Sequence, residues 1–339
     1  MDTKNESRKM NINDVAQELG ISKTTVSRAI SGKGRISQKT RDRVMRYIER
    51  IGYAPSIVAQ GLAQSRTFNI AFVMPNDNSA AEMPFFQKCL WGVNRNALIN
   101  NYDVIVATSS AQDIVQLERL IRNQKIDGAI LARTYYDDIA QKLLKESNIP
   151  FITIGKANDD MTLQIDNDNE NGCRELTEYL LRTGNEKVAL IGYAEKSMVD
   201  KARLLGYAKA FERLNKKCSK DYTMLVEDES TSIEAAVDVL MDRKADCIVC
   251  MDDGICSRVL NYLQIKHAKI PEDIKVASFF DSNILEHNTP GITTVRFNAE
   301  ALGEKSCSLL LEAIDGNDVE AVNMQDYEIV IKESTGAEK

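Results

Sequence analysis

Lys23, Thr24, Ser27 and Arg28 place two cations and two hydroxyls on the solvent side of one short amphipathic segment. Such a set can read base edges: Arg and Lys suit guanine O6 and N7, and Thr suits several partners. A second cluster invites metal chemistry. Cys247-x-x-Cys250 has the spacing of half a zinc site, but the chain's two histidines are His267 and His287, and neither lies at ligand spacing. The pair therefore reads as small apolar side chains on a buried strand, Ala245–Met251. Seven cysteines, an odd number spread along the chain, suit reduced thiols rather than a disulfide framework. Gly32-Lys33-Gly34 is too short for a phosphate-binding loop, and no G-x-G-x-x-G follows a predicted strand. With no nucleophile–base pair and no metal constellation, the sequence offers no enzyme machinery, cofactor site or metal site.

The elements that would carry the basic face are legible in the spacing. Ile12, Val15, Ala16 and Leu19 fall on one helical face, with Asn11 or Asn13 as cap, and Gly20 stops the helix. Ile21 packs inward and Ser22 caps a second helix, Lys23–Ile30, whose Val26, Ala29 and Ile30 face the first. The spacing Ala16-x3-Gly20-x5-Val26 supplies what a helix-turn-helix needs. It gives a small residue at the crossing, a glycine able to take φ > 0 at the turn, and a branched residue between the helices. A third helix from Ser37 to Gly52 turns Val44, Tyr47, Ile48 and Ile51 inward. Tyr53-Ala54-Pro55-Ser56 breaks it, and Ser56–Gln64 predicts one short helix, too short, with Gly61 inside, to persist alone in water. Charge divides the same way: residues 1–66 carry net +7 and the remainder −14, within a total of −7. A small basic module on a large acidic body is expected when one part meets a polyanion and the other does something else.

Beyond Thr67, strand-like and helix-like segments alternate, from Phe68–Met74 and Phe85–Asn100 through Ile255–Gln264 and Val276–Phe279. That alternation predicts parallel sheets with helices on both faces, and its length predicts two lobes rather than one. No apolar run approaches the ~18 residues of a membrane span, and no apolar h-region follows the charged first ten residues, so the expected location is cytoplasmic.

The stretch from Ile12 to Ala63 closely resembles the N-terminal region of LacI/GalR-type transcription regulators. DVA, TTVSRAI, SQKTRDRV, GYAPS and VAxxLA recur in order and at the family's spacing. Met10 sits where most members begin, so residues 1–9 read as an extension or a misassigned start. The resemblance implies an all-α helix-turn-helix headpiece over 10–54, a hinge helix and linker over 55–66, and an effector-binding and dimerisation core over 67–339. It implies double-stranded DNA as partner, contacted by Ser22, Lys23, Thr24, Thr25, Ser27, Arg28, Lys33, Arg35, Tyr53, Ile57, Ala59, Gln60 and Leu62. Leu62 holds the position that wedges between central base steps. Gln60 stands where arginine is common, and Ile57 where a polar or small residue is common.

The core resembles the two-lobed, α/β, type I periplasmic-binding-protein-like fold. Its markers are Pro84-Phe85-Phe86, Ile126-Asp127-Gly128, Ile165-Asp166-Asn167, Arg203-Leu204-Leu205-Gly206-Tyr207, Met251-Asp252-Asp253 and Phe280-Asp281-Ser282. The first lobe is expected over 67–165 and 293–322, the second over 166–292 and 323–335. The likeness implies an effector cleft formed by Asp77, Phe85, Phe86, Lys156, Asp166, Asn167, Arg203, Asp252 and Asp281. Ungapped counting from Pro290 instead puts Phe280 in the slot of Asp281. Trp91 is expected inward on its helix, and Val93 and Ala97 are candidates for the dimer surface. The segments around Gly155-Lys156 and Asp166–Asn169 are similar to maltose-operon repressors of Gram-positive bacteria. They imply a homodimeric repressor released from a pseudo-palindromic operator by a small sugar, maltose or a maltodextrin. Lys156 and Arg133 could supply part of a cation cluster, which keeps open a catabolite regulator with a phosphosugar or phosphorylated carrier protein as corepressor. No leucine heptads close the chain, so a coiled-coil tetramer is not expected.

Overall fold

The computed structural model describes residues 10–31, 34–53, 61, 64–76, 83–193, 197–227 and 229–336. The chain divides into two compact units, Met1–Thr67 and Phe68–Lys339.

The first unit holds α1 (Ile12–Leu19), α2 (Lys23–Ser31) and α3 (Gln38–Arg50). The Asn11 side chain accepts from the N–H groups of Asn13 and Asp14, and the Asp14 carboxylate accepts from the Asn11 N–H, so α1 starts with a reciprocal cap. Gly20 ends it at φ 63°, the left-handed conformation that a glycine adopts without steric cost. Ser22 and Ser37 begin the next two helices by accepting from the Thr25 and Thr40 N–H groups. Val15, Ala16, Leu19, Val26, Ala29, Val44 and Ile48 form one buried cluster. The Arg43 guanidinium donates to the Leu19 carbonyl at 2.9 Å, tying α3 to the end of α1.

The second unit contains two six-stranded sheets built to one plan. The first runs β11–β5–β4–β3–β1–β2, with β1 Asn69–Pro75, β2 Asp103–Ser109, β3 Gly128–Leu131, β4 Phe151–Ile154, β5 Gln164–Asp166 and β11 Val322–Met324. The second runs β12–β10–β9–β8–β6–β7, with β6 Val188–Tyr193, β7 Thr223–Val226, β8 Cys247–Cys250, β9 Lys275–Ser278, β10 Thr293–Phe297 and β12 Tyr327–Val330. All neighbours are parallel except β12 against β10. Cys247 and Cys250 are buried on β8, as small apolar side chains.

Helix α4 (Met83–Ile99) follows β1, and α12 (Ala299–Ile314) crosses it with backbones almost in contact. A Cβ at Gly303 would lie 2.0 Å from the Cys89 carbonyl oxygen, and one at Gly92 would lie 2.0 Å from that of Glu300. The second lobe repeats the device where α7 (Asn169–Arg182) meets α8 (Met198–Arg213). There a Cβ at Gly206 would lie 2.3 Å from the Glu170 oxygen.

Two lobe boundaries differ from the expected ones. Thr293–Phe297, expected in the first lobe, instead forms β10, which pairs with β9 and buries Val295 and Phe297 in the second core, so the chain crosses only at Asn298. β11 pairs with β5 through Met324, which moves the return crossing to Gln325. Gln325 joins all three crossings: its N–H donates to the Asp166 carbonyl at 2.7 Å and its Nε2 to the Asn298 carbonyl at 3.1 Å. Trp91 is 62 % exposed rather than inward, whereas Val93 and Ala97 are fully buried under α12 and belong to the core rather than to a dimer surface. The apolar positions of α4 exceed what one lobe can cover.

Candidate DNA-reading face and ligand cleft

In the first unit Lys23, Thr24, Ser27 and Arg28 are exposed on α2, opposite buried Val26 and Ala29. From Leu19 through Arg41 the chain carries six cations and no acid. The Arg28 stem lies over Gly34, where a Cβ would stand 3.1 Å from its Cδ. Ser22 and Thr25 share a hydroxyl hydrogen bond of 2.8 Å, so part of their capacity goes to capping. Arg35 is exposed, and Tyr53 is half-buried against the headpiece core, where burial raises its hydroxyl pKa. Lys33, Ile57, Ala59, Gln60 and Leu62 lie outside the described residues, as does Asp77 of the effector set.

In the second unit a cleft opens at the C-terminal ends of the parallel strands, where ligands of such sheets bind. Phe85 and Phe86 enter from the first turn of α4, Asp166 and Asn167 from the end of β5, Arg203 from α8, and Asp252 from the end of β8. These six expected residues are brought together. Phe85 meets Phe280 edge-to-face at 5.7 Å, so an aromatic pair spans the two lobes. Guanidiniums lie over two of the rings, Arg133 over Phe86 at 5.4 Å and Arg203 over Phe280 at 5.7 Å.

Arg203 is anchored on both sides: Nε donates to Asn169 Oδ1 at 3.2 Å and Nη1 to the Met251 carbonyl at 3.0 Å. Asp166 accepts from the Asn167 N–H at 2.7 Å and the Asn169 amide at 2.9 Å. Burial raises its pKa against the lowering effect of those donors and of Arg203. Asp252 is the N-cap of α10 (Asp253–Ile265), accepting from the Ile255 N–H at 2.7 Å while also lining the cleft.

Two expected residues are not in the cleft. Asp281 turns away to pair with Arg296 at 2.8 Å, and Phe280 takes the place. The Ser278 hydroxyl bonds both the N–H and the carbonyl of Phe280, a tight turn that sends alternate residues in and out. Lys156 points to solvent; its carbonyl receives the Thr134 hydroxyl, and Gly155 lines the wall instead. Sequence reasoning missed Asn169, Ser197, Asp200 and Asp253 as cleft residues. Their signal was position, directly after a strand or at a helix start facing the same strand ends.

Residues 11–56 match the family described as "Bacterial regulatory proteins, lacI family", and residues 177–335 match "Periplasmic binding protein-like domain". The chain carries a LacI-family DNA-binding domain ahead of a periplasmic-binding-protein-like domain, the make-up of a LacI/GalR-type regulator. Among its relatives, this LacI-family regulator is 29 % identical over 340 residues to the HTH-type transcriptional regulator CelR of Thermobifida fusca, covering 96 % of this chain and 98 % of that one. It is 29 % identical to the HTH-type transcriptional regulator MalR of Streptococcus pneumoniae, covering 90 % and 93 %. A solved structure described as a transcriptional regulator CelR–cellobiose complex superposes with TM-score 0.72 at 26 % identity, covering 96 % of this chain and 99 % of that one. These relatives are regulators of transcription, not enzymes.

Proposed function

We propose that this LacI-family regulator is a homodimeric repressor of a carbohydrate-utilisation operon, released from a pseudo-palindromic operator when a neutral oligosaccharide occupies the cleft. The carrying observation is the composition of that cleft: three phenylalanine rings, with carboxylates at Asp166, Asp200, Asp252 and Asp253 outnumbering guanidiniums at Arg133 and Arg203. Flat rings cover the apolar face of a sugar, and carboxylates and amides take its hydroxyl hydrogens. A phosphate would meet excess negative charge, which disfavours a phosphosugar corepressor. Glucose-based disaccharides and their oligomers fit the reading, maltodextrins first and cellobiose second, since the relatives carry those two kinds of name. Lys23, Thr24, Ser27 and Arg28 read the major groove, and two-fold symmetry of the dimer sets the symmetry of the operator.

A gel shift on inverted repeats flanking its gene tests the reading, with maltose, maltotriose, cellobiose and glucose 6-phosphate added in turn. Release by one of the neutral sugars is expected, and tighter binding with glucose 6-phosphate would replace the reading with a corepressor.

The dimer face is assigned to Trp91 and Leu98, 62 % and 73 % exposed and seven residues apart on one side of α4. Trp91→Lys with Leu98→Lys should sediment as a monomer and weaken operator binding about 100-fold, because two half-sites are no longer engaged together. Trp91 is also the sole tryptophan, so its emission should shift to the blue on association. A double variant that sediments like the native protein would move the interface elsewhere.

A further inference from the structure

We propose that Asp253 is a specificity-determining contact of the cleft: its Oδ2, with Oδ1 of Asn167, takes hydrogen-bond donors from the ligand and so selects molecules that present free hydroxyls there. The inference rests on the sugar reading and deepens it. Among the described residues, the buried side-chain atoms with no hydrogen-bond partner are Asn167 Oδ1, Asp253 Oδ2, Thr294 Oγ1 and Gln325 Oε1. Both Asn167 and Asp253 line the cleft, and they are only 5 % and 1 % exposed. Buried acceptors are almost always paired, so two orphans in one cleft wall mark where a ligand's donors belong. The other acidic side chains there have work already: Asp252 caps α10, Asp200 accepts from Ser197, and Asp166 holds Asn167 and Asn169. The acid expected at Asp281 is committed to Arg296, which leaves Asp253 to supply the charge on the second lobe's wall beside Phe280.

The electrostatics agree. Burial pushes the Asp253 carboxyl up to about 6; a Ser282 hydrogen bond and Arg203 oppose the shift, and Asp252 adds to it. Asp166 also has a raised pKa and lines the cleft. A ligand hydroxyl donating to Oδ2 favours the ionised form, so binding below pH 6 must displace a proton. In the free protein the raised pKa means that stability falls as pH climbs from the ordinary carboxylate range to about 6 and is level above it.

Calorimetric titration of the full chain with maltose, maltotriose and cellobiose, at pH 5 and pH 7.5, tests the proposal. The native protein should bind its preferred sugar about tenfold more weakly at pH 5, the ratio set by a group that titrates near 6. Asp253→Asn keeps the shape. At pH 7.5 it should lose roughly 10–100-fold in affinity, the range expected when a charged hydrogen bond goes. It should also show a shallower pH profile, and its own melting curve, which loses the decline in stability between pH 4 and 6, would verify that it folds. If Asp253→Asn binds as tightly as the native protein with a superimposable profile, the inference is overturned and the sugar reading stands. If none of the three sugars binds the native protein, both are overturned.

Discussion

Replacing Arg203 with alanine should lower sugar affinity by roughly 10²–10³-fold and leave operator occupancy unresponsive to sugar. The guanidinium reaches three parts of the wall at once: Asn169 on α7, the Met251 carbonyl after β8, and the Phe280 ring. Beyond the two N–H groups that anchor it, a guanidinium has three more to offer a ligand, and each charged hydrogen bond is worth about 1.5–3 kcal/mol. Two of them account for the expected loss. The charge also lowers the pKa of both Asp166 and Asp253. In Arg203→Ala those carboxyls keep their protons to higher pH, so any residual binding should shift its midpoint upward. Arg203→Lys keeps the charge but not the fork of donors, and should recover only part of the affinity. Titration calorimetry of the three proteins settles it: affinity within threefold of native for Arg203→Ala would remove the residue from the ligand site.

The second large effect falls on folding. Gly303→Ala puts a methyl 2.0 Å from the Cys89 carbonyl oxygen, far inside van der Waals contact. Backbone cannot rotate away as a side chain can, so α4 and α12 must part by about an ångström and loosen the core between Phe86, Val93, Leu302 and Leu310. Overpacking of this kind costs about 3 kcal/mol or somewhat more. Against a typical total of ~5–15 kcal/mol that should lower the melting temperature of the core by roughly 5–10 °C. Gly92→Ala strains the same crossing from the other helix, so the double variant should lose less than the two single losses together. A Gly303→Ala melt within a degree of native would show that the helices have slack the structure does not contain.

The headpiece was legible because each decision in it is local. Asn11, Ser22 and Ser37 cap, Gly20 turns, and Val15, Val26 and Val44 fall at spacings that allow one arrangement. The alternation of strand and helix was legible for the same reason. What sequence left open depends on distant partners. Thr293–Phe297 has the apolar pattern of a strand for either sheet, and only pairing with β9 decides which. Trp91 has the character of a core residue, and its exposure follows from α12 covering a different face of the helix. Whether Phe280 or Asp281 enters the cleft turns on one hydroxyl, that of Ser278, and no spacing rule reports it. Asp253 stood beside a residue with an evident capping role, and its own importance rests on a missing partner that only three dimensions reveal.

The three crossings joined at Gln325 also set a calendar for the chain during synthesis. The second lobe is nearly continuous: from α7 to β10 it emerges as one run and lacks its antiparallel edge strand, β12, and the turn Glu333–Thr335 that bonds to Val276 and Thr293. The first lobe starts with β1 yet waits for α12, the helix that closes on Gly92, and for β11, both made after that run is out. The lobe begun first is therefore finished last. Until it closes, the side chains of Ile70, Phe72 and Ile152 that belong under α12 remain uncovered, a period of vulnerability to aggregation written into the order of the sequence.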